Sequence, residues 1–156
     1  MKGYDENALM KIALKNTPEL MKLSFNSMFS VLFGVGGNVV DKLEMVSYIP
    51  QYVLTNMKKQ WGAFAILYPE VREMLFSKFN SDIVILPSSI HELIVLPLNE
   101  EVELSDMDEM VKEVNETELR AEEILADKAF VLKQDGSDDI SKFLSYYTPE
   151  ISCAGC

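Results

Sequence analysis

The residues best equipped for chemistry stand together at Ser88-Ser89-Ile90-His91-Glu92, which holds the only histidine of the chain. A serine nucleophile (Ser88 or Ser89), a histidine base and an orienting carboxylate are the parts of a hydrolase. The spacing works against that use. Neighbours on a strand point to opposite faces, so Glu92 is badly placed to orient His91. Ser88 and His91 meet only as the two ends of a four-residue bend. No GxSxG elbow precedes them, and no glycine offers an oxyanion nest. The same residues suit a tight turn: Pro87 fixes a corner, the serine hydroxyls bond turn backbone, and His91 or Glu92 closes it. Turn chemistry is the stronger reading.

Other polar residues are weaker candidates. Thr55-Asn56 could hold a ligand through hydroxyl and amide, but such a pair more often satisfies backbone groups where a strand ends. Asn115 is expected to end a helix. Cys153 and Cys156 have redox or zinc spacing, yet no helix follows the first cysteine to lower its pKa, and His91 alone cannot complete a four-ligand zinc set. The carboxylates Glu100, Glu101, Glu103, Asp106, Asp108 and Glu109 lack the glycine and ligand alternation of a calcium loop. The expected inventory therefore contains no metal and no cofactor.

The elements that must position these groups follow from periodicity. The bend is flanked by Ile83–Leu86 and Leu93–Leu96, apolar runs that predict a hairpin buried on both faces and central in its sheet. A helix is predicted over residues 5–15, capped by Asp5, with Leu9, Ile12 and Ala13 in one stripe. Asn16-Thr17-Pro18 reads as a break, and the spacing of Met21, Phe25, Met28, Phe29, Leu32 and Phe33 predicts a second helix ending at Gly34. Gly34–Asn38 reads as a flexible turn. Residues 51–55 and 61–67 are rich in β-branched and aromatic types and predict a first hairpin around a five-residue loop. Pro69 opens a third helix to Phe79, with Asn80 as its stop. Ser105 is the predicted cap of a fourth helix whose stripe is Met107, Met110, Val111 and Val114. One more helical turn is predicted at 122–126, a last strand at 129–133, a turn at 135–138 and a short amphipathic segment at 140–146. The order is ααββαββαβ: an α+β fold with a mostly antiparallel sheet of about five strands and helices packed on one face. Residues 1–146 read as one domain and 147–156 as a flexible tail.

Composition narrows the function. The 156 residues are 48% hydrophobic, enough for a sizeable core, and nine Met and eight Phe suggest an adaptable, aromatic filling. Twenty-five acids against 14 bases leave a charge of −11, which repels nucleic-acid backbones and anionic lipid. No apolar run reaches membrane-spanning length, and MKGYDENALM turns polar too early for a signal peptide. The cysteine-free body lacks a disulfide framework. A cytoplasmic protein that binds neither nucleic acid nor membranes is expected.

Several stretches together, ALKNTP (Ala13–Pro18), YVLTN (Tyr52–Asn56), Gly62-Ala63, LYP (Leu67–Pro69), ILPSSIHE (Ile85–Glu92) and VKEVN (Val111–Asn115), resemble a family of uncharacterised bacterial proteins of gut Firmicutes, a domain of unknown function. They run from about residue 8 to residue 133. Residues 22–48 and the chain after Asp135 do not follow the family pattern. The resemblance is to the C-terminal half of a typical member; it implies a cytoplasmic protein and assigns no activity.

Three functions compete on this reading. The first is a non-catalytic domain that binds a partner, a protein among the possibilities, through a surface presented by the sheet or the first hairpin. The second is a hydrolase using Ser88 or Ser89 with His91. The third is a small-molecule sensor with a pocket lined by Met and Phe. The sequence leaves the oligomeric state open.

Overall fold

The computed structural model describes residue 3, residues 5–33 and residues 49–138. The turn expected at Gly34–Asn38, the segment at 140–146 and the Cys153/Cys156 tail lie outside the described residues.

Asp5 caps helix α1 (Glu6–Leu20) as expected, its Oδ1 accepting Ala8 N–H at 2.7 Å. The helix does not break at Asn16-Thr17-Pro18. Pro18 sits in the last turn, where its missing N–H removes a single donor, and Met21 N–H still reaches Thr17 O at 2.7 Å. The next residues are strand β1 (Leu23–Ser27), followed by a short helix α2 (Met28–Phe33). The helical spacing around Phe25 coexists with a period of two over residues 23–27, and pairing decides between them. Strand β2 (Tyr52–Asn56) pairs antiparallel with β1 from Leu23↔Asn56 to Ser27↔Tyr52. On one face, Phe25 stacks on Tyr52 with ring centroids 5.0 Å apart, and Phe79 meets Tyr52 edge-on at 5.3 Å.

Residues 61–67 do not form the second arm of a first hairpin. Gly62–Leu67 is a 3-10 helix that lays Gly62, Ala63, Ala65 and Ile66 against the core. Two alanines and a glycine let this backbone approach the sheet closely, and the burial has no period of two. Helix α3 (Val71–Phe79) follows. Asn80 ends it in the left-handed conformation, φ 50°, with its N–H on Phe76 O at 2.9 Å.

The expected second hairpin is present. Strand β3 (Ile83–Leu86) pairs with β4 (Leu93–Pro97) from Ile83↔Pro97 to Leu86↔Ile94. With β5 (Phe130–Leu132) the five strands run in the order β1-β2-β4-β3-β5, every neighbouring pair antiparallel. The α+β class is therefore as expected, and the hairpin arms lie inside the sheet.

The alternation of strand residues sends side chains to two layers. Leu54, Ile83, Ile85, Leu93, Val95 and Leu132 pack with the 3-10 helix and with Val71 and Leu75 of α3. Val84, Leu86 and Leu96 face the other way, towards Val102 and Val111. Val111 belongs to helix α4 (Leu104–Thr117), so helices cover both faces, not one. The cap of α4 is Glu103, without a side-chain bond; the expected Ser105 lies inside the helix. Asp108 on α4 instead accepts Ala129 N–H at 2.8 Å. Among the described residues the core is Leu, Ile, Val and Ala with Tyr52 and Tyr68; Phe and Met stand at its margin.

Two polar ties join segments distant in sequence. Tyr68, 2% exposed, donates its hydroxyl to Met21 O at 2.7 Å; burial, with Glu70 nearby, pushes its phenol up. Arg72 forks onto Asp138 at 2.6 and 3.1 Å and onto Lys133 O at 2.6 Å, pinning the chain after β5 to α3.

Candidate functional site

The bend after β3 is built by its own polar atoms. Ser89 N–H reaches Glu92 O at 3.1 Å, and Ser89 Oγ accepts His91 N–H at 3.0 Å. Ser89 is 6% exposed, so its oxygen serves the turn. Ser88 lies apart, on a shallow apolar groove of about 30 Å³ beside Met110 and Val114.

His91 looks outward to a different segment. Its Nδ1 accepts the backbone N–H of Trp61 at 3.1 Å, which places the proton of the neutral ring on Nε2. Nε2 faces Glu123 Oε1 at 3.7 Å. The carboxylate facing the imidazole is therefore Glu123 and not Glu92. A hydrogen bond from Arg120 holds the Glu123 carboxyl below the usual range, and His91 adds a smaller pull. Neither ring nitrogen is bonded to Ser88 or Ser89.

Trp61 opens the 3-10 helix after a loop that Asn56 organises. Asn56 is 1% exposed; its Oδ1 accepts Lys58 N–H at 2.9 Å and its Nδ2 donates to Gln60 O at 2.7 Å. Lys59 N–H returns to Asn56 O at 2.9 Å. The loop carries two left-handed residues, Lys59 with φ 52° and Trp61 with φ 54°. That conformation is costly for side chains with a Cβ and persists where surrounding bonds over-determine it. Gly62 then passes so close to the sheet that a Cβ there would overlap Thr55 Oγ1 and His91 O and come within 2.9 Å of Asn56 N. Thr55 donates its hydroxyl to His91 O at 2.7 Å. Thr55, Asn56 and His91, distant in sequence, thus meet at one end of the sheet.

Beside this junction lies a cleft of about 280 Å³. It covers the half of the sheet face where polar residues, Ser24 and Asn26 from β1 and Thr55 from β2, stand around Val53 of β2. Register explains the grouping, because Ser24↔Thr55 and Asn26↔Val53 are direct pairs and share a face. Val53 pairs in turn with Ile94, so Glu92 projects to the same side. Ser30 and Val31 of α2 form one wall and Lys59 another. Glu92 and Thr55 were legible as candidates. Ser24, Asn26 and Lys59 were missed, although the alternation Leu23-Ser24-Phe25-Asn26 carried the signal for the first two.

Asn115 does not end its helix. It lies in the last turns of α4, 6% exposed, and its Nδ2 donates to Ala126 O at 3.0 Å and Asp127 Oδ1 at 2.9 Å. Its Oδ1 is buried without a partner. The residue joins α4 to the strand-ward segment and is remote from the cleft in the residues it touches. Among the described residues no group of three or more His, Cys, Asp or Glu could hold a metal ion, and no helix is long and apolar enough to cross a membrane.

A family described as a family of unknown function (DUF5688) matches residues 1–134. No curated protein and no solved structure matches the chain.

Proposed function

The chain belongs to the DUF5688 family of unknown function, and from that premise we propose that it is a non-catalytic binding domain of the cytoplasm whose binding surface is the cleft over β1 and β2. The cleft itself carries the reading: about 280 Å³ walled by β1, β2, α2, the Lys59 loop and the bend at Glu92, with polar side chains converging from adjacent strands. The bond of His91 Nδ1 to Trp61 N–H, with Nε2 turned towards Glu123 at 3.7 Å and neither nitrogen on a serine, supports a structural role for the bend over a nucleophilic one. The lining of the cleft favours a polar ligand over the apolar one that a Met- and Phe-lined sensor would take. A protein partner is a second form of the same reading, favoured by Met57 and Trp61, which are 69% and 63% exposed on the adjoining loop. The acidic charge supports partners other than nucleic acid or membranes.

The test is a thermal-shift screen of small polar compounds run beside esterase and peptidase substrates, on the parent and on Val31→Trp. Val31 is exposed at the cleft wall, so a bulky side chain there fills the space without entering the core. Stabilisation by a compound that Val31→Trp abolishes supports the reading. Turnover that His91→Ala and Ser89→Ala remove, with folding intact, overturns it.

A further inference from the structure

The charges at the cleft define its ligand more narrowly. Lys59 and Glu92 both line it, and among the described residues neither is engaged in an ion pair. They therefore stand farther apart than ion-pair distance, one cation and one anion facing the same small volume. A purely anionic ligand drawn to Lys59 meets repulsion from Glu92, and a purely cationic one meets the reverse. Only a ligand with both charges satisfies both walls.

The neutral groups divide in the same way. Ser24 Oγ accepts from Asn26 Nδ2 at 2.9 Å, which leaves the Ser24 hydroxyl hydrogen and, on Asn26, Oδ1 and the second amide hydrogen for a ligand. Thr55 has committed its hydrogen to His91 O, and its oxygen lies against Gly62, so its hydroxyl belongs to the junction. Lys59 and Ser24 thus offer donors, Glu92 offers acceptors, and Asn26 offers one of each. An ammonium brings donors and no acceptor, and a carboxylate brings acceptors and no donor. Val53 and Val31 add an apolar patch. The volume, about 280 Å³, is at the low end for small-molecule sites and suits a compact ligand rather than a cofactor. The backbone of Lys59 is held by Asn56 in a left-handed conformation, so the point from which its side chain extends beside the cleft is set by the loop.

We propose that this cleft binds a free α-amino acid with a small or aliphatic side chain, its ammonium on the Glu92 side and its carboxylate on the Lys59 side. The proposal rests on the binding-domain reading and goes further by naming the ligand class.

Isothermal titration of the full chain with glycine, L-serine and L-leucine, each compared with its N-acetyl and amide forms, and with methyl glucoside, tests it. The expected result is binding of at least one free amino acid, weakened tenfold or more by blocking either terminus and by either Lys59→Gln or Glu92→Gln. Both variants change surface-accessible side chains, and circular dichroism checks that they fold. Blocked forms that bind as well as the free amino acid overturn the ligand class. So does methyl glucoside binding that Val31→Trp abolishes, and either result leaves the binding cleft standing. No heat from any probe, together with a compound screen indifferent to Val31→Trp, overturns the ligand class and the cleft alike.

Discussion

The imidazole Nδ1 of His91 accepts the backbone N–H of Trp61 at 3.1 Å, across thirty residues of sequence. The bond joins the bend of the second hairpin to the start of the 3-10 helix. Trp61 is left-handed at that point and its ring lies beside the imidazole, centroids 5.6 Å apart. The single histidine of the chain thus fixes the backbone of the loop that carries Lys59 to the cleft.

His91→Ala removes the acceptor and leaves Trp61 N–H to water. The histidine side chain is 34% exposed, so water reaches the site and the loss is that of one ordinary hydrogen bond. We expect about 0.5–1.5 kcal/mol of destabilisation in urea unfolding, with no hydrolytic activity to lose. Unchanged stability accompanied by the loss of a measurable turnover would reverse the roles assigned to the bend.

Gly62 admits no side chain. A methyl group there must displace Thr55 Oγ1 and the backbone of His91, neither of which is the free end of a flexible chain. Gly62→Ala is expected to destabilise by about 1–3 kcal/mol, the usual range for overpacking, and to shift the Lys59 loop. Gly3→Ala, which meets nothing within 4 Å, is the matched control and should leave the melting temperature unchanged. Equal melting of parent and Gly62→Ala would mean that the 3-10 helix does not press on β2.

Acid should release the Arg72 tie. Hydrogen bonding from Arg72 holds the Asp138 carboxyl below its ordinary value of 3.8, against an opposing push from burial. A carboxyl whose folded value is depressed contributes its stability above the unfolded carboxyl range, and loses it as pH falls through the folded value. The stability gap between the parent and Asp138→Asn should be full near pH 6 and shrink below about pH 4, where both side chains become neutral. A gap that stays constant down to about pH 2.5 would place the contribution of Asp138 elsewhere than in its charge.

The class of fold was legible because the arms of the second hairpin are nearly continuous apolar runs, and they are buried as such runs require. The Asp5 cap and the Asn80 stop were legible for the same reason: each is a local rule satisfied by local atoms. Where the reading and the structure part, a distant partner decides. Residues 23–27 fit a helix by spacing and become a strand because Tyr52–Asn56 supplies a ladder. Residues 61–67 have strand composition, but Asn56 bends the preceding loop and Gly62 drops the chain onto the sheet. Thr55, Asn56 and Ser89 do bond backbone groups: Thr55 reaches His91 O, Asn56 reaches Lys58 N–H and Gln60 O, and Ser89 accepts His91 N–H. The cleft was not legible, since its cation stands on a loop whose path depends on those same bonds, and two of its polar groups stood in a mistaken helix.

The central claim is that the polar half-face over β1 and β2 is the binding surface. Amide chemical-shift mapping of the labelled chain, titrated with whichever small polar compound stabilises it, tests this most directly. The account expects the largest shifts at Ser24, Asn26, Thr55, Lys59 and Glu92, with smaller ones carried to Trp61 through the His91 bond. Shifts centred on Ser88, Met110 and Val114, or on Asn115, with the cleft silent, would contradict it.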